Sequence, residues 1–394
     1  MQTTANAPRS RGSVWTDPRV RAWAFQIIAV AAVVAFGWFL FHNTQVNLER
    51  RGIVSGFEFL GQSAGFGISQ HLIDYSESDT YGRVFVIGLL NTLLVSVIGI
   101  ILATILGFIL GVARLSPNWL IRKLATLYIE VFRNIPPLLQ IFFWYFAVML
   151  SMPGPRQSLG LWDTFFINSR GLYMPSPSMA EGFWPFLIAV LLAIACIVVV
   201  YRRAKAHQEA TGERFPVLLT SIALLLVLPG ASLLAFGTPF HWDVPQLAGF
   251  NFRGGWVVIP ELVALMLALS IYTAAFIGET VRSGIQAVSH GQTEAAYSLG
   301  LRPGLTLRLV VVPQALRVIV PPLTSQYLNL TKNSSLAAGI GYPDMVSLFA
   351  GTVLNQTGQA IEVMAITMSV YLAISISISI LMNWYNKRIA LVER

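Results

Sequence analysis

Six stretches of this chain each run for about twenty residues or more without an Asp, Glu, Lys or Arg. They lie between Arg21 and Glu49, Arg83 and Arg114, Arg133 and Arg156, Glu181 and Arg202, Arg214 and Asp243, and Glu362 and Lys387. A helix rises 1.5 Å per residue, so about 20 apolar residues cross the hydrocarbon core of a bilayer. Each run is long enough. Only 11% of the 394 residues are charged and 55% are hydrophobic, against roughly 25% charged in a soluble domain. Lipid must therefore solvate much of this surface.

Two further spans are less clean. Residues 257–277 carry Glu261 near one end; residues 316–338 carry Arg317 and Lys332 and are interrupted by Pro321 and Pro322. The sequence thus predicts an all-α membrane protein, a polytopic helical bundle of about eight transmembrane helices. They fall at about 22–41, 84–112, 136–152, 183–201, 216–236, 257–277, 316–338 and 363–384.

The first span follows Arg9, Arg11, Arg19 and Arg21 and is too long for the apolar core of a secretory signal. It reads as a retained anchor. With eight spans both termini share one side, and 19 of the 26 Lys and Arg residues fall there. By the positive-inside rule that side is the cytoplasm. The formal charge of +8 is then a topology signal, not a nucleic-acid footprint, because no aromatic-interleaved basic stripe accompanies it.

Chemistry is sparse. There is no phosphate-binding Gly-rich loop ending in Lys, and the five histidines are scattered without an H-x-x-x-H pair. Cys196 is the single cysteine and reads as a small packing residue. Ionisable groups inside the spans are almost missing, so no proton relay is evident. The chain has no engine of its own.

Packing signals are clearer. Gly107-x-x-x-Gly111, with Gly99 two turns earlier, marks the second span as central, because small residues let helices approach closely in lipid. Spans four and five look like an inserted hairpin that faces lipid or braces the bundle. Residues 42–83 read either as chain along the outer interface or as a contact surface for an external partner.

The polar stretch GQTEAAYSLG (291–300) lies between two very apolar regions. Its residues suit a short helix stopped at Gly300. Arg302-Pro303-Gly304 makes a turn, and Thr306 is expected to cap a second helix that Pro313 bends or breaks. Small Ala295 and Ala296 leave room for another surface, and Glu294 supplies one orienting charge.

The spacing E-A-A, three residues, G, nine residues, apolar-x-apolar-P is carried here by Glu294, Ala295, Ala296, Gly300, Val310, Val312 and Pro313. It resembles the signature of permease subunits of bacterial ABC importers, with Val where Ile and Leu are commoner. TLYIEVFRNIPPLLQIFFWYF (126–146), SIYTAAFIGETVRSGIQAVSHGQTEAA (270–296) and LTKNSSLA (330–337) resemble the polar-amino-acid class. The extra N-terminal span and inserted hairpin resemble the Q-type permeases of general L-amino-acid importers.

The resemblance implies a type I importer core divided as 1–83 (anchor and periplasmic segment), 84–152 (first core part), 153–256 (insertion) and 257–394 (second core part). Its ATPase-coupling loop spans about 279–316, with Glu294, Ala295, Ala296, Gly300 and Pro313 as coupling residues. It further implies an inner-membrane protein with cytoplasmic termini, paired with a homologous second permease, an ATPase dimer that holds ATP and Mg, and a periplasmic amino-acid-binding protein. No cofactor, metal or nucleic acid is expected on this chain, and it is expected not to be an enzyme itself.

Candidate pathway residues are the polar groups of the spans. Lys332, with Asn329, Ser334 and Ser335 as neighbours, either lines the pathway or snorkels to the interface. Tyr272, Thr273, Asn91 and Thr92 contact either substrate or neighbouring helices. Glu130 and Arg133, before Pro136 and Pro137, fit an elbow and form either a gate contact or a local ion pair. The rival class is a self-sufficient secondary carrier or channel for small polar solutes; no internal repeat supports it.

Overall fold

The computed structural model describes residues 18–50, 56–213 and 215–389. Arg9, Arg11, Arg214 and Arg394 of the basic count, and residues 51–55 of the outer segment, lie outside the described residues. Among those described, seven helices are long and apolar enough to cross a membrane. They include α1 (Pro18–Arg50), α2 (Tyr81–Arg114), α5 (Phe183–Thr211), α6 (Val217–Phe236), α7 (Pro260–Gln286) and α12 (Ala360–Ile389). The seventh, Pro303–Ile340, is composite. Between α2 and α5 lie α3 (Trp119–Asn134) and α4 (Pro137–Phe142), and α4 continues as a π-helical stretch, Phe143–Met149.

The third expected span is therefore shorter than the sequence suggests. Pro137–Met149 reaches only about 20 Å at 1.5 Å per residue. Pro136 and Pro137 fix its start, the chain turns at Leu150–Met152, and the wide π winding shortens it.

The composite span corrects a second expectation. Its helix begins at α9 (Pro303–Thr306), runs through a π-helical turn at Leu307–Val311 and continues as α10 (Val312–Asn333). Pro303, not Thr306, opens it. Thr306 is buried and its hydroxyl has no partner. Pro313 does not break the helix, nor do Pro321 and Pro322. A proline lacks an N–H and crowds the carbonyl four residues back; the wide turn just before Pro313 relieves that crowding.

The core forms where α2, α4, α7 and α10 meet, around Val95, Ala103, Ile141, Leu265, Leu269, Ile277, Ile319 and Leu330. Gly107 and Gly111 let α2 press onto α7: a Cβ on Gly107 would stand 2.5 Å from the Ile277 Cβ, and one on Gly111 would stand 2.6 Å from the Val281 Cβ. Gly284 of α7 does the same for α10, where Ile319 fills the missing side chain's place at 2.3 Å.

A second cluster joins Phe59, Tyr81, Ile87, Phe349 and Val363. Residues 56–80 fold onto the starts of α2 and α12, with Phe59, Ala64 and Ile68 buried and the Gly56 N–H donating to Glu362 Oε1 at 2.8 Å.

α1, α5 and α6 are peripheral. The apolar windows of α1, α5 and α6 are almost unburied, whereas that of α7 is 61% buried. Cys196 is accordingly exposed on α5, not packed.

The sequence reading contained no strands, yet eight short ones flank the α5–α6 hairpin. They are β1 (Leu159–Leu161), β2 (Phe165–Asn168), β3 (Gly171–Met174), β4 (Ser176–Met179), β5 (Phe240–Asp243), β6 (Gln246–Ala248), β7 (Asn251–Arg253) and β8 (Trp256–Val258). One sheet has the order β1-β2-β3-β8; β4 pairs with β5 and β6 with β7, all antiparallel. Thus β4 and β5 form a ladder whose connecting loop is the whole helical hairpin.

Candidate coupling surface and polar pathway

Three residues after α7 the chain forms α8 (His290–Ser298). Its C-terminus is a hooked stop. Gly300 takes φ +77, its N–H bonds to Tyr297 O at 2.9 Å, and the Leu301 N–H bonds to Ala296 O at 3.1 Å. This paired arrangement satisfies carbonyls that the helix end leaves free. A Cβ on Gly300 would meet nothing within 4 Å, so the position requires glycine for its backbone conformation and not for space.

On α8, Glu294 and Ala295 face outward while Ala296 is buried. The Glu294 carboxylate lies 3.4 Å from His290 Nδ1, one turn earlier. Gln314 Nε2 donates to Gln292 Oε1 at 3.2 Å, which ties α8 to the first turn of α10. Pro313, beside that contact, follows the wide turn. The result is a short capped helix with one exposed acid, three residues from α7 and pinned to α10.

At the same end of the bundle lies a charge cluster. Arg114, the last residue of α2, pairs with Glu279 of α7, and its Nη2 lies 3.5 Å from Glu130 Oε1 of α3. Arg282 pairs with Glu279 one turn on and also reaches Gln286. Arg133 stacks on Phe276 at 5.1 Å from the ring centroid. The expected local ion pair between Glu130 and Arg133 is thus not formed; each turns to a different helix. Pro136 and Pro137 do form the elbow, and buried Gln140 locks it by donating to Phe132 O and Ile135 O, both at 3.0 Å.

The polar candidates of the spans separate into two groups. Asn329 and Lys332 are exposed on one face of α10, with Ser325 one turn before them. Lys332 lies in the last turn of α10, where its charge complements the negative end of the helix dipole. Among the described residues it forms no ion pair. Ser335 is half-buried and donates to Lys332 O at 2.6 Å. Ser334 is buried and donates to Thr331 O at 2.7 Å. Tyr272 is half-buried against Phe276, with 5.0 Å between ring centroids, and Thr273 is buried.

Asn91 and Thr92 belong to a different, closed network. Asn91 Nδ2 donates to Gln70 O and Pro343 O, both at 2.9 Å, and Thr92 Oγ1 accepts from the Met345 N–H at 3.0 Å. Beside them lies Asp344, fully buried, which sequence reasoning missed. Its carboxylate accepts from the Ser347 N–H at 2.7 Å and the Tyr371 hydroxyl at 3.1 Å. It opens the π-helical stretch Val346–Val353, which leads into α11 (Leu354–Thr357). Asp before an apolar run is a helix-start signal and could have been read as one.

Residues 214–391 match the family described as "Binding-protein-dependent transport system inner membrane component". Over 98% of its length the chain is 63% identical to the protein of Escherichia coli K12 named "Putative amino-acid ABC transporter permease protein YhdX", covering 98% of it. The chain belongs to the amino-acid ABC transporter permeases. This permease is also 53% identical to the general L-amino acid transport system permease protein AapQ of Rhizobium johnstonii, over 97% of this chain and 95% of that one. To BztB of Rhodobacter capsulatus, a glutamate/glutamine/aspartate/asparagine transport system permease, it is 46% identical over 96% of each chain. The permease is thus a mostly helical, multi-pass inner-membrane protein with the type I importer permease fold expected from its motifs.

Proposed function

We propose that this permease forms part of the pore of an ATP-driven importer for L-amino acids. The observation that carries the reading is α8: a capped, rigid helix that exposes Glu294 and Ala295 and is joined directly to α7 and α10. An ATPase dimer, which holds ATP and Mg, docks on this surface, with Glu294 orienting the contact. Gly300 holds the hook and Pro313 sets the geometry of the following span. No cofactor sits on this chain, and hydrolysis belongs to the partner.

Closure of the ATPase moves α8. Because only three residues link α8 to α7, and α7 is clamped to α2 through Gly107, Gly111 and the Arg114–Glu279 pair, the movement reaches the spans as one body. A second, homologous permease completes the pore and covers the exposed polar face of α10. On that face Lys332 attracts the substrate carboxylate, with Asn329 beside it. The names of the relatives support amino acids as substrates, and the family description, binding-protein-dependent, supports a separate binding protein as their donor. The basic-residue count supports a cytoplasmic side for α8 and both termini.

Reconstitution tests this. The chain, its second permease and the ATPase are placed in vesicles with the binding protein, and uptake of labelled amino acids is followed. Uptake that requires ATP and all the components supports the proposal. Uptake by the chain alone in a proton or sodium gradient identifies a secondary carrier and overturns it.

A further inference from the structure

Helix α3 presents three faces. Ala125, Tyr128, Ile129 and Phe132 recur at helical spacing and turn inward; the Tyr128 hydroxyl donates to Ile271 O of α7 at 3.0 Å. Leu120, Leu124, Leu127 and Val131 recur at i, i+4, i+7 and i+11 on a second face, and all four are exposed. Trp119 stands at its start, 66% exposed. Arg122 and Lys123 lie outside both stripes and are exposed. Neither pairs with a carboxylate among the described residues. Arg122 Nη1 donates to Ser116 O at 3.1 Å, and Glu130, the acid of this helix, turns to Arg114.

The setting selects the occupant. α3 connects α2 to α4, two apolar helices that enter the membrane at its two ends. A helix joining two apolar helices in this way would set its apolar stripe at the hydrocarbon boundary and its two cations near the headgroups. We propose that α3 is an interfacial helix whose leucine stripe rests in lipid and whose Arg122 and Lys123 bind anionic phospholipid headgroups. Interfacial helices with a basic polar face gain both from apolar burial and from attraction to anionic lipid. This inference rests on membrane placement and is independent of the substrate and the direction of transport.

The test uses the full chain with its co-purifying partners, in vesicles. Cys196 is the only cysteine, so Cys196→Ser provides a background in which Leu124→Cys carries a single environment-sensitive fluorophore. The vesicles contain brominated phosphatidylcholine or brominated phosphatidylglycerol as quencher. Quenching by both is expected, with about fivefold selectivity for phosphatidylglycerol from each cation near the surface. Arg122→Gln with Lys123→Gln should bring that selectivity to one. In the labelled chain with Arg122 and Lys123 intact, high salt should reduce it by screening. Absence of quenching by either lipid means that protein covers the stripe and overturns the proposal. Equal quenching by both lipids overturns the anionic headgroup.

Discussion

Arg114, the last residue of α2, closes an ion pair with Glu279 of α7, although 165 positions separate them in the chain. Arg282 holds the same carboxylate from the next turn. Removing Glu279 would leave two guanidinium groups facing each other in a half-buried site. We expect Glu279→Gln to cost about 1–3 kcal/mol, between the values for exposed and buried pairs. Thermal unfolding of the purified complex measures it. Arg114→Gln should cost less in the Glu279→Gln background than alone, because the two changes remove one shared interaction. Strict additivity would show that the pair contributes nothing.

The close approach of α2 and α7 makes a second prediction. Gly107→Leu forces backbone apart against Ile277 and Ala274 O, and overpacking of that kind costs about 1–3 kcal/mol or more. Gly230→Ala in α6, where a Cβ meets nothing within 4 Å, should be neutral or slightly stabilising. Thermal midpoints of the two variants, compared in one detergent, separate local packing from a general intolerance of membrane glycines.

On the coupling surface, Glu294 and Gly300 should behave differently. Glu294 is exposed, so Glu294→Lys should leave the thermal midpoint unchanged while uptake and substrate-stimulated ATP hydrolysis are lost. Gly300 is required for its backbone conformation. Gly300→Asn, which tolerates the left-handed region, should retain most activity, whereas Gly300→Val should lose about 1–2 kcal/mol of stability together with transport. Wild-type uptake in Glu294→Lys would remove the proposed docking role.

Lys332 is tested by charge and shape. Lys332→Met keeps the apolar stem and removes the charge; Lys332→Arg keeps the charge. Uptake into vesicles should fall at least about tenfold in the first, the loss expected for one charge-assisted hydrogen bond, and remain measurable in the second. Normal uptake in both would leave Lys332 as an interfacial anchor.

Asp344 offers a test of the closed network. Asp344→Ala removes the acceptor for the Ser347 N–H and the Tyr371 hydroxyl, leaving two buried donors unpaired at about 1–3 kcal/mol each. Asp344→Asn keeps one amide oxygen and should cost less. Midpoints that do not differ would show that the network is not needed for stability.

Much of this architecture was legible because its signals are local. Charge-free runs located the long spans, and Gly300 placed the end of α8 within the chain's own turn chemistry. Gly107 and Gly111 announced a close helix contact, though not its partner. What escaped was non-local or depended on exact winding. The π-helical turn that carries Pro313 through α10 has no composition of its own. Strands of three or four residues among Gly, Pro and aromatics look like loop. Glu130 and Arg133 look like natural partners along one helix, yet α2 and α7 compete for them successfully. Of the candidate pathway residues, polarity alone could not separate Asn329 and Lys332, which face outward, from Asn91 and Thr92, which hold buried backbone groups.

The pairing of β4 with β5 also bears on how separable the helical hairpin is. Ala180 donates its N–H to Pro239 O at 3.1 Å, and Gly182 packs against the carbonyls of Phe236 and Gly237. The two membrane helices therefore leave and return through one narrow neck at the tip of a hairpin, the kind of site where inserted sequence disturbs least. Splicing out 181–238, which leaves Ala180 and Pro239 as a two-residue turn between β4 and β5, should yield a shorter protein that still inserts and folds. On that view α5 and α6 are a separable cassette: neither core cluster draws a residue from them.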